Sequence, residues 1–308
     1  MRVLALVPGG VERQLAFFPL LSQIQDKLAS TEIIVVVEPQ AQPVYTLSKA
    51  VKEVIPYAFE APNSPADWAN LLGILRDWEF DVVITLTQSW SLGLLLWLSG
   101  IPTRIGYGGG GNGLFLTHAI DRHSPSDYGQ LLTPLKLSTQ LSPPTITLPQ
   151  ADLRAAEGLR QGAGLTSGYV AIYPGCLPGG DSYPTEGWTA LLKDFQQRQP
   201  GLPLVLLQTP ESLEAIAQLK AAIPDLGVLM PETLGQLAAL IAGANLVITV
   251  NRYPLSLAAA LGVYTVGLNT NLESPAATHP DRLVMLTSPN SQLGGILPAT
   301  VIKKVWNE

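Results

Sequence analysis

Short apolar runs alternate with longer amphipathic stretches along almost the whole chain. Several of the runs, such as Val3–Val7 and Ile33–Val37, are continuously apolar. Such runs are typical of strands buried on both faces of a parallel sheet. The stretches between them place apolar residues three and four positions apart, which is the spacing of one helix face. Strand and helix patterns in alternation predict an α/β fold with parallel sheets flanked by helices.

The same pattern gives the bounds of the predicted elements. The strands are Val3–Val7, Ile33–Val37, Val54–Tyr57, Val82–Leu86, Thr103–Tyr107, Tyr169–Tyr173, Leu204–Leu207, Gly227–Met230, Leu246–Val250 and Tyr264–Leu268. The helices are Glu12–Ala29, Pro65–Trp78, Ser91–Leu98, Ala151–Leu159, Glu186–Gln197, Glu211–Ala222, Leu234–Ala242, Pro254–Leu261 and Ala299–Trp306.

The helix Ser91–Leu98 is the most apolar of the predicted helices. It is much shorter than the roughly 18 apolar residues of a membrane span, so we interpret it as a helix buried in the core. The adjacent Trp90 is interpreted as a core residue, with a place lining a ligand cleft as the alternative.

Length and proline content divide the chain into two domains. A chain of 308 residues is near twice the usual size of one domain. The segment 140–149 contains Pro143, Pro144 and Pro149 and follows a weakly patterned stretch, so we place the boundary there. We predict two Rossmann-like, doubly wound domains, residues 1–142 and 143–308. Ligands of such sheets bind beyond the carboxyl ends of the strands, here in a cleft between the facing domains.

The composition excludes several classes of function. A net charge of −6 with 18 Lys and Arg residues does not predict a nucleic-acid interface. One cysteine and three histidines exclude a disulfide framework, a multi-cysteine zinc site and a histidine-rich metal site. We therefore expect no metal and no cofactor. Charged residues make up 14% of the chain, against about 25% in ordinary soluble domains, which indicates a neutral surface or a partly covered one.

The N-terminal apolar run, Val3–Val7, is shorter than the core of an export signal, and no run reaches the length of a membrane span. We expect a cytoplasmic protein without a membrane span, for which peripheral contact with a membrane stays open.

Three stretches, in order and at matching spacing, resemble one enzyme family. The first is Ser99–Tyr107, the second joins Tyr173–Gly175 to Tyr183–Trp188, and the third runs through Leu234–Gly262. Together they are similar to the lipopolysaccharide heptosyltransferases. The resemblance implies the GT-B fold, in which two Rossmann-like domains face each other across a cleft. It also implies metal-independent transfer of a sugar from a nucleotide diphosphate to an acceptor hydroxyl.

The resemblance fails where the family has its general base. The family carries Gly-Asp in the loop after the first strand, and the Asp acts as base toward the acceptor. Counting back from Pro19 puts Glu12-Arg13 at that position, after Gly9-Gly10. Arginine cannot accept a proton near neutral pH. Glu12 could replace the base, although neighbouring helix positions point about 100° apart; its alternative role is an acidic residue favoured by the helix dipole.

The diphosphate-binding motifs have changed as well. Where the family has Lys or Arg before Trp-Pro, this chain has Asp181-Ser182 before Tyr-Pro. Asp181 would repel a diphosphate, and Ser182 offers one uncharged donor. The family's Asp-Ser/Thr-Gly-Pro-x-His is replaced by residues 251–256, Asn-Arg-Tyr-Pro-Leu-Ser. Tyr253 obstructs the backbone approach that glycine allows, whereas Arg252 can still bind a phosphate through two hydrogen bonds.

A glycine-rich loop, Gly108–Gly113, follows the predicted strand Thr103–Tyr107. It lacks the Lys-Ser/Thr of a phosphate-binding P-loop. We interpret it as a turn, with a lid on the acceptor side as the alternative.

Three separate motif positions have changed while the surrounding scaffold residues remain. We therefore predict a degenerate, non-catalytic relative of the heptosyltransferases that binds a nucleotide-sugar, a glycan or a protein partner. The alternative is an active inverting glycosyltransferase that modifies a cell-envelope glycan, with Glu12 as base and Arg252 holding the diphosphate. The candidate ligand-binding residues are Gly9, Gly10, Ser182, Asn251, Arg252, Tyr253 and Ser256.

Overall fold

The computed structural model describes residues 1–59, 61, 64–121, 128–177, 179–270, 275 and 277–306. The chain divides into two compact units, Met1–Thr145 and Ile146–Glu308. The division falls inside the proline-rich segment 140–149. Each unit is built around a six-stranded parallel sheet with helices packed on it. The predicted α/β architecture with two Rossmann-like units is therefore confirmed.

The first unit has the strand order β3-β2-β1-β4-β5-β6. Its strands are β1 (Arg2–Val7), β2 (Glu32–Val37), β3 (Glu53–Pro56), β4 (Val82–Thr85), β5 (Thr103–Tyr107) and β6 (His118–Ile120). Its helices are α1 (Val11–Lys27), α2 (Pro65–Asp77) and α3 (Trp90–Leu98), with 3₁₀ segments at Pro39–Leu47, Asn112–Phe115 and Gly129–Leu135. Because β1 and β4 are parallel neighbours, the loops after them leave the same edge of the sheet, at the point where the strand order reverses.

The second unit repeats this topology with the order β12-β11-β10-β7-β8-β9. Its strands are β7 (Val170–Tyr173), β8 (Leu204–Leu207), β9 (Gly227–Leu229), β10 (Leu246–Thr249), β11 (Tyr264–Asn269) and β12 (Leu283–Thr287). Its helices are α4 (Gln150–Gly162), α5 (Thr185–Arg198), α6 (Leu213–Ala222), α7 (Leu234–Ala242), α8 (Arg252–Ala260) and α9 (Pro298–Trp306). Further 3₁₀ segments are Pro210–Ser212, Pro280–Arg282 and Leu293–Gly295.

Every predicted strand is present, and the structure adds the two edge strands β6 and β12. Strand β6 has three residues, of which two are exposed, so it leaves almost no hydrophobic pattern. Strand β12 pairs with β11 alone and is mostly half-buried, although its Leu-Val-Met-Leu run is a signal that could have indicated it. The predicted helix Glu211–Ala222 begins as the 3₁₀ segment Pro210–Ser212. Helix α8 begins two residues before the predicted Pro254.

The core of each unit lies between its sheet and helices. In the first unit the central strands are apolar on both faces, as the continuous runs predicted. In the second unit Trp188 is buried and packs among leucines of α5 and the strands β7 and β8. Within the part of the chain that the structure describes, no helix is both long and apolar enough to span a membrane.

Helix α3 corrects one interpretation. Leu92, Leu95 and Leu96 are buried as predicted, but Trp90 is 58% exposed and Trp97 is 54% exposed. Trp90 is therefore not a core residue. A helix packed on one side of a sheet buries only the residues of its inner face, and both tryptophans fall on the outer face of α3.

Candidate functional site

In the loop after β1, two charged side chains lie against the two glycines. Gly9 has a φ of +105°, and a Cβ there would lie 3.1 Å from Cδ of Arg13. The Arg13 guanidinium donates a hydrogen bond from Nη1 to the Pro8 carbonyl at 3.2 Å. A Cβ on Gly10 would lie 2.9 Å from Oε2 of Glu12. The two charged residues at the predicted base position therefore both fold back onto the glycines.

A buried glutamine that the sequence analysis missed holds this loop. Gln14 is fully buried, and its Nε2 donates to the carbonyls of Val7 at 2.9 Å and Gly9 at 3.0 Å. Its Oε1 accepts a hydrogen bond of 2.7 Å from the Tyr45 hydroxyl. Burial raises the pKa of Tyr45 far above its ordinary value, so Tyr45 remains a neutral donor. The sequence did carry a signal for the burial of Gln14, since it lies four residues before Phe18 on the apolar face of α1.

At the carboxyl ends of β7, β8 and β10, three hydroxyl side chains meet. Tyr173 ends β7, Thr209 follows β8, and Tyr253 lies in the first turn of α8. The Tyr173 hydroxyl contacts both Thr209 Oγ1 and the Tyr253 hydroxyl. The two rings meet edge to face with their centroids 5.7 Å apart. We call Tyr173, Thr209 and Tyr253 the tyrosine cluster.

The tyrosine cluster is neutral at physiological pH. Tyr173 is fully buried and Tyr253 is half-buried. Burial is the main cause that raises the pKa of both phenols above the ordinary value of about 10. The two hydroxyls therefore share hydrogen bonds with each other and with Thr209, and neither supplies a base.

Asn251 connects the tyrosine cluster to its surroundings. It is the N-cap of α8, and its Oδ1 accepts a hydrogen bond of 3.2 Å from the Tyr253 backbone N–H. Its Nδ2 donates to Glu211 Oε2 at 3.1 Å and to the Cys176 carbonyl at 3.4 Å. The start of α8 is thus occupied by groups of the protein itself, with a carboxylate close by.

The remaining candidate residues lie in different local settings. Asp181 accepts a hydrogen bond from the Leu293 backbone N–H at 2.9 Å, so its carboxylate fixes the segment before α9. Ser182 is exposed, in a bridge with Cys176, and Ser256 is buried within α8. Arg252 is half-buried at the first position of α8.

The structure therefore brings Asn251 and Tyr253 together, and it adds Tyr173, Thr209 and Glu211, none of which was among the candidates. Ser182 and Ser256 are not part of this group. Among the described residues no cluster of three or more His, Cys, Asp or Glu side chains is placed to hold a metal ion.

Tyr183, in the second family-like motif, has a buried hydroxyl whose effect on stability can be measured by substitution. Tyr183 packs edge to face on Trp188, and its hydroxyl is buried without a hydrogen-bond partner among the described residues. We expect Tyr183→Phe to stabilise the protein by about 1–2 kcal/mol in urea unfolding, since an unpaired buried hydroxyl costs that much. Tyr169→Phe is the control: its hydroxyl donates to the Leu240 carbonyl, so its loss should destabilise.

The advantage of Tyr183→Phe should grow at alkaline pH. Burial raises the pKa of Tyr183 to about 12, against about 10 in an unfolded chain. Below pH 10 both states keep the proton, and above it the unfolded state loses the proton first. The wild type should therefore lose about 1.4 kcal/mol per pH unit between pH 10 and 12 through this group, which the variant does not lose. An advantage that is equal at pH 8 and pH 11 would contradict the assignment.

Both the sequence and the fold of this chain are similar to those of one protein family. The family model described as glycosyltransferase family 9 (heptosyltransferase) matches residues 68–286. A glycosyl transferase family 9 structure from Veillonella parvula has a TM-score of 0.80 at 18% identity, covering 99% of this chain and 96% of that one. The E. coli heptosyltransferase WaaC with ADP-2-deoxy-2-fluoro heptose has a TM-score of 0.78 at 19% identity, covering 100% and 99%. These matches confirm the GT-B type of α/β fold.

One relative among characterised proteins is named as a subunit of a complex and not as a glycosyltransferase. It is "Photosynthetic NDH subunit of subcomplex B 1, chloroplastic" from Arabidopsis thaliana, 22% identical to this chain. The match covers 97% of this chain and 72% of that protein.

Proposed function

The chain belongs to glycosyltransferase family 9, the heptosyltransferase family, and from that premise we propose that it is a non-catalytic member that acts by binding a protein partner. The observation that carries this proposal is the tyrosine cluster at the strand ends of the second unit. In it the Tyr253 hydroxyl is hydrogen-bonded to Tyr173.

A diphosphate needs free backbone N–H groups, close approach and positive charge at a helix start. Helix α8 offers little of this. The N–H of Tyr253 is taken by Asn251, and the Tyr253 ring stands where the family has a glycine. The Glu211 carboxylate lies within hydrogen-bond distance of Asn251 and adds negative charge. Each of these features opposes the binding of a polyanion.

The first unit supports the same proposal. The position of the family's base is held by Arg13, whose guanidinium is hydrogen-bonded to the Pro8 carbonyl. Arginine stays protonated at neutral pH and cannot remove the acceptor's proton. The loop itself remains well fixed through Gln14, so the scaffold of the site persists without its reactive group.

The protein-partner part of the proposal draws on the Arabidopsis relative, which is named as a subunit of a subcomplex. A low content of charged residues, 14%, fits a surface that is partly covered in an assembly.

A second candidate function is an active inverting transferase that moves a sugar from a nucleotide diphosphate sugar to a cell-envelope glycan. Glu12 favours it, because this carboxylate lies against Gly10 and directly precedes Arg13, the residue at the expected base position. Arg252 at the start of α8 would then hold the diphosphate.

Titration calorimetry with ADP, UDP, GDP and their sugar conjugates separates the two functions. We expect no heat of binding up to millimolar ligand, because α8 presents a tyrosine and a nearby carboxylate instead of a glycine and a cation. Micromolar binding that Arg252→Ala abolishes and the exposed Arg154→Ala leaves intact would contradict this proposal. Sugar transfer that disappears in Glu12→Gln would establish the second function.

A further inference from the structure

The outer face of α3 is a continuous apolar surface. Trp90 is 58% exposed, Trp97 is 54% exposed and Leu98 is 39% exposed, and Leu94 between them is half-buried. At 100° per residue these four positions fall within an arc of about 100° on the helix. They therefore form one stripe, opposite the leucines that pack on the sheet.

The neighbouring 3₁₀ segment Asn112–Phe115 packs beside α3 and adds another exposed apolar side chain. Gly93 lets that segment approach α3: a Cβ there would lie 3.0 Å from Phe115 and 3.1 Å from Asn112. Within the segment Leu114 is 89% exposed. We call Trp90, Leu94, Trp97, Leu98 and Leu114 the α3 face.

The α3 face is held rigidly. Arg104 donates from Nε to the Phe115 carbonyl at 2.6 Å and from Nη1 to the Ile101 carbonyl. The Asn112 side chain donates to the carbonyls of Thr87 at 2.8 Å and Tyr107 at 3.2 Å. A surface fixed in this way loses little conformational entropy when it binds, which favours association.

The charges around the α3 face select the kind of occupant. Between Asp81 and Arg104 the sequence has no Asp, Glu, Lys or Arg, and Arg104 is followed by none before Asp121. An anionic lipid surface attracts clustered Lys and Arg, which this stretch lacks, and the chain carries a net charge of −6. Arg76 of α2 lies at the Leu98 end of the face, where its guanidinium already donates to the Leu98 carbonyl at 2.8 Å. Beyond this group, a charged protein surface would lose solvation without finding a counter-charge along α3. The complementary occupant is an uncharged apolar protein surface.

We propose that the α3 face is the docking site for an uncharged, apolar helix of a different protein. This inference rests on the proposed function and identifies the surface and the partner chemistry. Exposed apolar patches that contain tryptophan are typical of protein interfaces. A nine-residue helix with a straight apolar stripe is the shape against which a second helix packs.

The test compares Trp90→Gln/Trp97→Gln with Leu213→Gln/Leu297→Gln in cells of the source organism. The control removes apolar side chains that are similarly exposed, at 52% and 65%, but lie in the second unit. Native gel electrophoresis and size-exclusion chromatography measure the fraction in a large assembly. We expect that fraction to fall at least tenfold in the tryptophan variant and to stay unchanged in the control, with both variants folded by circular dichroism.

Photo-crosslinking identifies the occupant. A benzoylphenylalanine at position 97 should give one major product, and mass spectrometry should place the crosslink in an uncharged, apolar helix of another protein. An unchanged assembly in the tryptophan variant would overturn the docking site while leaving the proposed function. A wild-type chain that is monomeric in cell extract would overturn both.

Two measurements on the purified chain test the other occupants. Tryptophan-dependent self-association in analytical ultracentrifugation would assign the face to a second copy. Tryptophan-dependent flotation with vesicles of phosphatidylcholine, or of phosphatidylcholine with 30% phosphatidylglycerol, would assign it to lipid. Either result would overturn the proposal.

Discussion

Replacing Gln14 with leucine is expected to lower the free energy of unfolding of the first unit by about 3–5 kcal/mol. The side chain is fully buried and satisfies the carbonyls of Val7 and Gly9 as well as the Tyr45 hydroxyl. Leucine fits the apolar surroundings but removes the group that pairs with the buried Val7 carbonyl and Tyr45 hydroxyl, and with the part-buried Gly9 carbonyl. Each unpaired buried group costs about 1–3 kcal/mol, which the added apolar contact offsets only in part.

Urea unfolding and amide hydrogen exchange check this prediction together. Exchange should accelerate in β1 and α1 and stay unchanged in β7 and β8, which belong to the other unit. Tyr45→Phe is the matched control: it leaves Gln14 Oε1 as the unpaired group and should cost about 1–2 kcal/mol. A loss below about 1 kcal/mol for Gln14→Leu would show that the loop does not depend on the glutamine.

Asn251→Leu is expected to destabilise the second unit by about 2–4 kcal/mol. The substitution removes the N-cap of α8, which alone is worth about 1 kcal/mol. It also removes the donor that pairs with the Cys176 carbonyl and the Glu211 carboxylate. The measurement is urea unfolding, with exchange of the α8 amides as the local readout. Normal protection of those amides in the variant would contradict the assigned role.

Asn251→Asp restores the family's residue and gives a sharper comparison. The carboxylate keeps the cap acceptor but stands beside Glu211, where Asn251 Nδ2 now lies 3.1 Å from Oε2. The two negative charges repel each other, so the variant should be less stable than the wild type near pH 7. Glu211→Gln in the same chain should recover the loss, which a double-mutant cycle measures. Equal stability of the single and double variants would mean that the Glu211 carboxylate does not repel a carboxylate at position 251.

These variants test residues that hold the scaffold under the proposed non-catalytic function. Gln14 fixes the loop after β1, and Arg104 from the first family-like motif fixes the segment Asn112–Phe115. Both residues bind backbone carbonyls, and this role does not depend on a reaction at the site. The residues at the expected base and diphosphate positions pair instead with neighbouring groups, as Arg13 and Asp181 show.

The elements of the fold were predictable because each depends on local sequence. A continuously apolar run such as Ile33–Val37 is typical of an inner strand of a parallel sheet, which is buried on both faces, so the pattern alone identifies it. The same reasoning failed for Trp90 and Trp97. Hydrophobicity indicates which residues favour burial, but only the packing of α3 on its neighbours determines which face is covered.

The local pattern of the sequence identified the helices and all described strands except the edge strands β6 and β12. Its motifs gave the resemblance to a family and the positions at which this chain departs from it. Which distant groups the changed residues contact depends on the tertiary fold. Tyr253 pairs with Tyr173, 80 residues earlier in the chain, and Asn251 pairs with Glu211, 40 residues earlier. The strand order β10-β7-β8 creates these contacts by bringing three distant strand ends side by side. Hydrogen bonds act over a few ångströms in space, and no local periodicity records which distant side chains will come that close.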